Sequence, residues 1–535
     1  MERLLPLLVA IPLGGGFLCP VLGKFVRNRC WVELLAVVVM ALLLALSVGQ
    51  LVAIDTFVYW IGGWGGGENP VGISLASDGL SQLVVLTVNL VGLLAVVFST
   101  SYMRRFTAPG MYYGLFLLMV AGMNAVVIAG DLFNVYVFLE VAAIASYALV
   151  AFGTESEELE ASFKYLVLGG ISSVFILFGI GLLYNLTGQL NLSEIAVALG
   201  AMTGDAARMR VVWLAAGLLF MGFGLKAAMV PFHAWLPDAH PSAPAPISAM
   251  LSGVLIKAVG VYVLARLLLN VLPPSAAAGY AVMALGTASM VVGGLLAVGQ
   301  SDLKRLLAYS SISQVGYVVL AFGLAGVLKV RAPGETLVIG LALFGGLFHL
   351  VNHAVFKSLL FLCSGAIEQA TGTRRMADLG GLAGRMPATG LCLRVAAMSI
   401  IGVPPFSGFW SKVIIIVALA MAGYWTLAVV AVAVSVLTLL MFAKVQRDVL
   451  DGEPSACVRG AREAPLPMSL AMVVLAVLCL GVGLAVPAFK RHLADPAVTA
   501  LRAGQGGTPA YHRQFAPAPP TGSPARTAAR EEVQP

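Results

Sequence analysis

Apolar runs of about 20 residues recur along nearly the whole chain, from LLPLLVAIPLGGGFL near residue 4 to LAMVVLAVLCLGVGL near residue 480. As a helix, each run is long enough to cross a hydrocarbon core of about 30 Å. Of the 535 residues, 60% are hydrophobic and only 11% are charged. Soluble domains carry about 25% charged residues, so a soluble chain of this composition would lack the polar surface it needs. In lipid every backbone donor and acceptor must be satisfied within the protein, which restricts spans of this length to helices. The expected fold is therefore an all-α polytopic membrane protein.

Counting runs gives about fourteen transmembrane helices, near 4–23, 31–54, 78–100, 111–129, 132–152, 162–187, 211–231, 245–271, 277–299, 303–326, 337–368, 388–418, 421–443 and 466–488. A Gly/Trp-rich loop, YWIGGWGGGENP, follows the second span. Five regions are expected: N-terminal helices over 1–110, a first five-helix unit over 111–271, and a second over 277–443. A cytoplasmic loop with the last helix occupies 444–488, and a Pro/Ala-rich tail over 489–535 has the composition of a disordered segment. The first span runs on without a small-residue cleavage site, so it is expected to be retained.

Basic residues gather in alternate loops: Lys24, Arg27 and Arg29; Arg104 and Arg105; Lys304 and Arg305; Arg374, Arg375 and Arg385; Lys444, Arg447, Arg459 and Arg462. Cytoplasmic loops collect Lys and Arg, so these ends are expected inside a cell (inner) membrane, with both termini on the outer side. That placement also accounts for the net charge of +7 without nucleic acid, for which no basic–aromatic tract exists.

Two spans carry what a smooth apolar helix would exclude. GLKAAMVPFHAWLPDAH (224–240) holds Lys226, Pro231, His233 and His240, and IIGVPPFSGFWSK (400–412) holds Pro404, Pro405 and Lys412. Pro231 lacks a backbone donor and clashes with the carbonyl of Ala227, so it breaks or kinks the helix, and Pro404 and Pro405 act alike. Interrupted spans at matching places in two halves point to inverted repeats. The two are the seventh and twelfth spans, and a unit of five spans must flip when duplicated. Two inverted five-helix repeats, each with a broken helix, are expected.

Other ionisable residues lie deep in spans. Glu140, nine residues after Asp131, is about 13 Å into its helix at 1.5 Å per residue. Lys257 is similarly deep, and His349, His353 and Lys357 recur every four residues on one helix face. One lysine can snorkel to the interface and one histidine can be a packing residue. Acids, lysines and histidines spread over five spans exceed what snorkelling explains, because each costs roughly 2.5–3.5 kcal/mol at a helix centre. Their chemistry suits proton handling. Desolvation drives a lysine towards its neutral form and a nearby carboxylate draws it back, while histidines relay protons near neutral pH. Proline breaks free carbonyls and provide hinges.

LFNVYVFLE, LKAAMVPFHAWLPDAH, LIKAVGVYVLAR, SDLKRLLAYSSISQVGY, HLVNHAVFKSLLFL and GVPPFSGFWSK, in that order, resemble the antiporter-like subunits shared by respiratory complex I, membrane-bound hydrogenases and Mrp-type multisubunit cation/proton antiporters. The resemblance covers roughly residues 75–445 and implies fourteen helices with two inverted repeats. It implies that Glu140 pairs with the central Lys226, that Lys257 connects, and that His349, His353 and Lys357 relay towards Lys412 in a second half-channel. Lys412, where some complex I members carry Glu, and the lack of room for a long lateral helix after residue 488 point to the Mrp D-type subunit or its hydrogenase-associated relative.

The resemblance further implies partner membrane subunits, homologous antiporter-like ones among them, embedded in the bilayer and moving H+ and, in an antiporter, Na+. No nucleotide loop, Walker motif or metal-spaced cysteine set is present, so no cofactor, metal or catalytic chemistry is expected of the chain alone. A redox reaction, in a complex I-like NADH-quinone oxidoreductase or a hydrogenase, would reside in partners. A stand-alone transporter of a small organic solute, which would centre on one polar cavity, and an inactive scaffold are the rival readings.

Overall fold

The computed structural model describes residues 2–26, 28–53, 56–63 and 72–502. Arg27, most of the Gly/Trp-rich loop and residues 503–535 of the expected tail lie outside the described residues.

Thirteen helices among the described residues are long and apolar enough to cross a membrane, and the twelfth expected span appears as two 15-residue helices. Helices α1 (Leu7–Phe25) and α2 (Cys30–Ala53) are followed by a short antiparallel pair, β1 (Phe57–Trp60) and β2 (Ser74–Ser77), which flanks the Gly/Trp-rich loop. Next come α3 (Gly79–Tyr102), α4 (Pro109–Ile128), α5 (Leu132–Val150) and α6 (Ser156–Thr187). A short α7 (Leu192–Ala201) lies in the polar connection before α8 (Ala206–Lys226) and α9 (Leu236–Ser242). The first unit closes with α10 (Ala245–Val271).

The second unit comprises α11 (Ala276–Val298), α12 (Leu303–Arg331), α13 (Thr336–Thr371), the half-helices α14 (Pro387–Ile401) and α15 (Ser407–Met421), and α16 (Trp425–Leu450). α17 (Leu466–Leu484) and α18 (Asp495–Arg502) complete the described chain. If successive spans alternate in direction, α8 and α14 run in opposite senses, and each is followed by a break.

Caps set the boundaries. The side chains of Asp78, Asp131 and Asp302 accept from amides in the first turns of α3, α5 and α12, and Gly188 and Gly372 close α6 and α13 in left-handed conformations. α10 and α12 are surrounded by protein along their apolar length, which makes them the core of the bundle.

Two expectations need correction. Residues 489–502 are helical, not disordered: Ala497, Val498, Ala500 and Leu501 are buried, Asn270 donates to the Ala500 carbonyl (3.0 Å), and Lys329 donates to that of Leu501 (2.7 Å). Donors from α10 and α12 thus satisfy the end of a helix too short to stand alone. Lys304, expected as a loop cation, is 2% exposed and pairs with Glu368 at 2.8 Å.

Candidate functional site

The two breaks use one backbone device. α8 ends with Ala228 at φ +54, the Ala228 amide donating to the Leu225 carbonyl (3.0 Å) and that of Met229 to Gly224 (2.9 Å). α14 ends with Gly402 at φ +92, its amide donating to Ser399 (3.2 Å) and that of Val403 to Met398 (3.1 Å). Both are Schellman-type ends, which leave the last two carbonyls of the helix without intrahelical partners. The breaks contain the expected prolines, with cis bonds at Val230–Pro231 and Pro404–Pro405. All three prolines lie at the protein surface.

At the first break Lys226, the last residue of α8, is 4% exposed. Its ammonium lies 3.6 Å from Glu140 Oε1 on α5 and donates to the Tyr147 hydroxyl at 3.2 Å. Glu140 also accepts from Ser173 of α6, and its side chain keeps 26% of its surface exposed on the flank of the bundle. A carboxylate with one face open can swing away from a lysine that cannot follow. Trp235, stacked on Tyr165 with centroids 4.0 Å apart, donates its indole N–H to the Leu225 carbonyl (3.0 Å), so the far side of the break is pinned to the end of α8.

Lys257 lies in a stretch of α10, Leu251–Val261, wound with wide i→i+5 turns, a form concentrated at functional sites. Its ammonium folds back along its own helix onto the carbonyls of Ser252 and Gly253, the latter at 2.5 Å. A Cβ on Gly260 would stand 2.7 Å from the backbone of Ala227, so α10 rests directly on the residue after Lys226. Lys257 and Lys226 make no direct contact. In the other direction Ser252 shares a 2.6 Å hydroxyl bond with Ser311, beside Ser310, which accepts from Lys357. Lys357 also donates to the Leu307 carbonyl (2.8 Å).

From Lys357 two antiparallel stripes lead to the second break. On α13 they are Lys357, His353 and His349; on α12, Ser310, Gln314 and Tyr317, all buried. The imidazole centroids of His349 and His353 are 6.4 Å apart. Both ring nitrogens of His353 and both amide atoms of Gln314 lack a hydrogen-bond partner among the described residues. His349 Nδ1 pairs with Ser411 Oγ at 2.9 Å, next to Lys412. Lys412 donates to the carbonyls of Ile400 (2.8 Å) and Ile401 (3.4 Å), the two that the α14 end leaves free, and lies over the Tyr317 ring (5.4 Å). No carboxylate lies within ion-pair distance of Lys412 among the described residues.

Residues 129–438 match the family model described as the transmembrane region of NADH:quinone oxidoreductase and Mrp antiporters. The chain belongs to this family. It is 36% identical to the N-type subunit of the NADH-quinone oxidoreductase of Desulforudis audaxviator, over 84% of this chain and 89% of the relative. It is 30% identical to the D-type subunit of the Na+/H+ antiporter of Alkalihalophilus pseudofirmus, over 84% and 88%. In three dimensions it is similar to a chain of the Mrp complex from Dietzia sp. DQ12-45-1b, with a TM-score of 0.84 at 28% identity, covering 94% of this chain and 97% of that one.

Within this family frame, the structure draws seven sequence-derived residues into one interior: Glu140, Lys226, Lys257, His349, His353, Lys357 and Lys412. His233 stays half-buried in the first break, with Nδ1 unpartnered. His240 lies apart on α9, packed on Phe361 of α13 (centroids 4.6 Å apart). Two ion pairs with a buried cation are not expected from the sequence. One is Lys304–Glu368. The other joins Asp78 to Arg266, both under 5% exposed, with Ser81 accepting from the same guanidinium at 3.1 Å. Glu368 follows Lys357 by eleven residues, three helical turns, so the histidine–lysine stripe extended would have reached it.

Proposed function

We propose that this chain is a proton-translocating subunit of a multisubunit membrane complex, coupled to cation/proton antiport. The observation that carries the proposal is the buried series from Glu140–Lys226 through Lys257 and Lys357 to His353, His349 and Lys412, each step joined by packed helices or shared hydroxyls. Glu140 and Lys226 exchange a proton with the inner side, Lys257 and Lys357 receive it, and the histidines pass it to Lys412 for release outside. An axial series of this kind is unlike the single polar cavity of a solute carrier. Pro231, Pro404 and Pro405 serve as hinges of the two breaks, and His233 and His240 as accessory groups of the first.

The residue pattern also supports the unit boundaries 111–271 and 277–443, a cell-membrane location with both termini outside, and neighbouring subunits of the same family. Some relatives belong to NADH-quinone oxidoreductases, so a redox-driven pump is the second reading, with electrons handled by partners.

Reconstituted in its native complex, Lys226→Ala should lose most proton flux and Lys412→Ala all of it, with assembly intact. Near-normal flux in both variants sinks the mechanism. Identifying co-purified chains separates the two couplings: hydrophobic partners alone mean antiport, and partners bearing flavin, iron–sulfur or nickel groups mean a redox pump.

A further inference from the structure

The proposed route gives one accessory group, His240, no step of its own. His240 is fully buried, and neither ring nitrogen has a hydrogen-bond partner among the described residues. A buried imidazole without protein partners is costly, because each unsatisfied buried polar atom costs about 1–3 kcal/mol. His240 is not a loose packing residue. Its carbonyl accepts from Ser248 (2.8 Å), and cations grip the carbonyls that follow: Arg374 takes that of Pro241 and Lys304 that of Ala243 (3.2 Å). The backbone that carries the ring is therefore held in place.

Its position completes a line. On α13, ten residues separate Lys357 from Glu368, about 16 Å along the helix, with Phe361 and Ser364 on the same face between them. His240 packs on Phe361, one turn from Lys357 and two from Glu368. Lys357, Lys304 and Lys257 are the ionisable groups that face it. Glu368, 19% exposed, and Ser242, two residues beyond His240, both line a polar cavity of about 850 Å³ at the charged rim, with Arg374, Asp302 and Glu158. The cavity thus touches Glu368 on one wall and the end of the His240 helix on another.

We propose that this cavity is a second inner entrance to the relay, running from Glu368 and Lys304 through His240 to Lys357 and joining the first route there. A proton taken from cavity water onto Glu368 passes to the free ring nitrogen of His240. The other nitrogen then gives up its proton to the neutral amine of Lys357, which leaves His240 neutral in the opposite tautomer, and a flip of the ring restores its starting form before the next transfer. Lys304, between Glu368 and the Ala243 carbonyl, holds the carboxylate against α9. The inference rests on the proposed proton function, and Lys357 and Lys412 are common to both routes.

The test is proton flux in proteoliposomes of the intact complex, with assembly checked by co-purification. Glu140→Gln should leave roughly a tenth of the flux, since loss of one relay group costs on the order of 10²-fold or more along its own route only. Adding His240→Gln, which can hydrogen-bond but not titrate, should bring that remainder down to the level of Lys412→Ala. As an independent check, Ser242→Cys in a Cys30→Ser/Cys457→Ser background, labelled from the inner side with a bulky impermeant thiol reagent, should lower the remaining flux of Glu140→Gln. A remainder that survives both His240→Gln and the label overturns the second entrance, and so does a Glu140→Gln complex with no remainder at all. Flux persisting in Lys412→Ala would instead overturn the underlying proton function.

Discussion

The two breaks share a backbone solution and differ in how they hold a charge. At α8 the lysine is part of the helix end, its ammonium turned to a mobile carboxylate, Glu140, and a tyrosine hydroxyl. At α14 the lysine comes from the next half-helix and caps the two carbonyls left over by the Schellman end, with no acid beside it. A helix C-terminus carries partial negative charge, so both sites favour a cation. Only the first can change its field by moving a partner. Under the proposed relay the first break switches and the second receives and releases, with the drive coming from the Glu140 end.

Replacing the receiving group should have the largest effect. Lys412→Ala would leave the Ile400 and Ile401 carbonyls without their cation and should lower proton flux by about 100-fold or more. Wild-type flux there would show that the carbonyl cage does not define the site. Next comes the switching partner: Glu140→Gln keeps the shape but removes the charge and should leave flux about tenfold down, read by dye quenching in proteoliposomes.

The backbone difference should show in stability. Gly402→Ala forces a Cβ into the left-handed region and should cost about 1–2 kcal/mol, whereas Ala228→Gly relieves that strain and should be neutral or stabilising. Thermal unfolding of the two variants in detergent compares them directly, and equal shifts would mean that the two ends are not the same device. The smallest effect is expected of Tyr147→Phe, which loses one hydrogen bond to Lys226. Worth about 1 kcal/mol, that loss should reduce flux roughly fivefold without altering assembly.

Residues at the middle of spans are legible in the sequence because a charge within an apolar run has no innocent surroundings. Glu140, Lys226, Lys257, Lys357 and Lys412 stand out for that reason, and Pro231, Pro404 and Pro405 mark the breaks. Charges at span ends do not stand out. Lys304, Glu368, Asp78 and Arg266 sit where loops and interfaces ordinarily carry charge, and only the packing of distant helices buries them. The wide turns around Lys257 have no local signature in the sequence, and the close approaches beside them, Gly253 to Ser358 and Gly260 to Ala227, join residues distant in the chain. Residues 495–502 have the composition of a biased tail because the groups that fix them, Asn270 and Lys329, lie about 170–230 positions away.

The central claim is that one interior relay connects the two breaks, and Lys357 is the node through which every proposed path passes. Proton flux through the reconstituted complex bearing Lys357→Ala, assembled to wild-type levels, tests it most directly. A single relay through this node predicts flux as low as in Lys412→Ala. Flux close to wild type would mean that protons reach the second break by a path that avoids α13, which would contradict the relay.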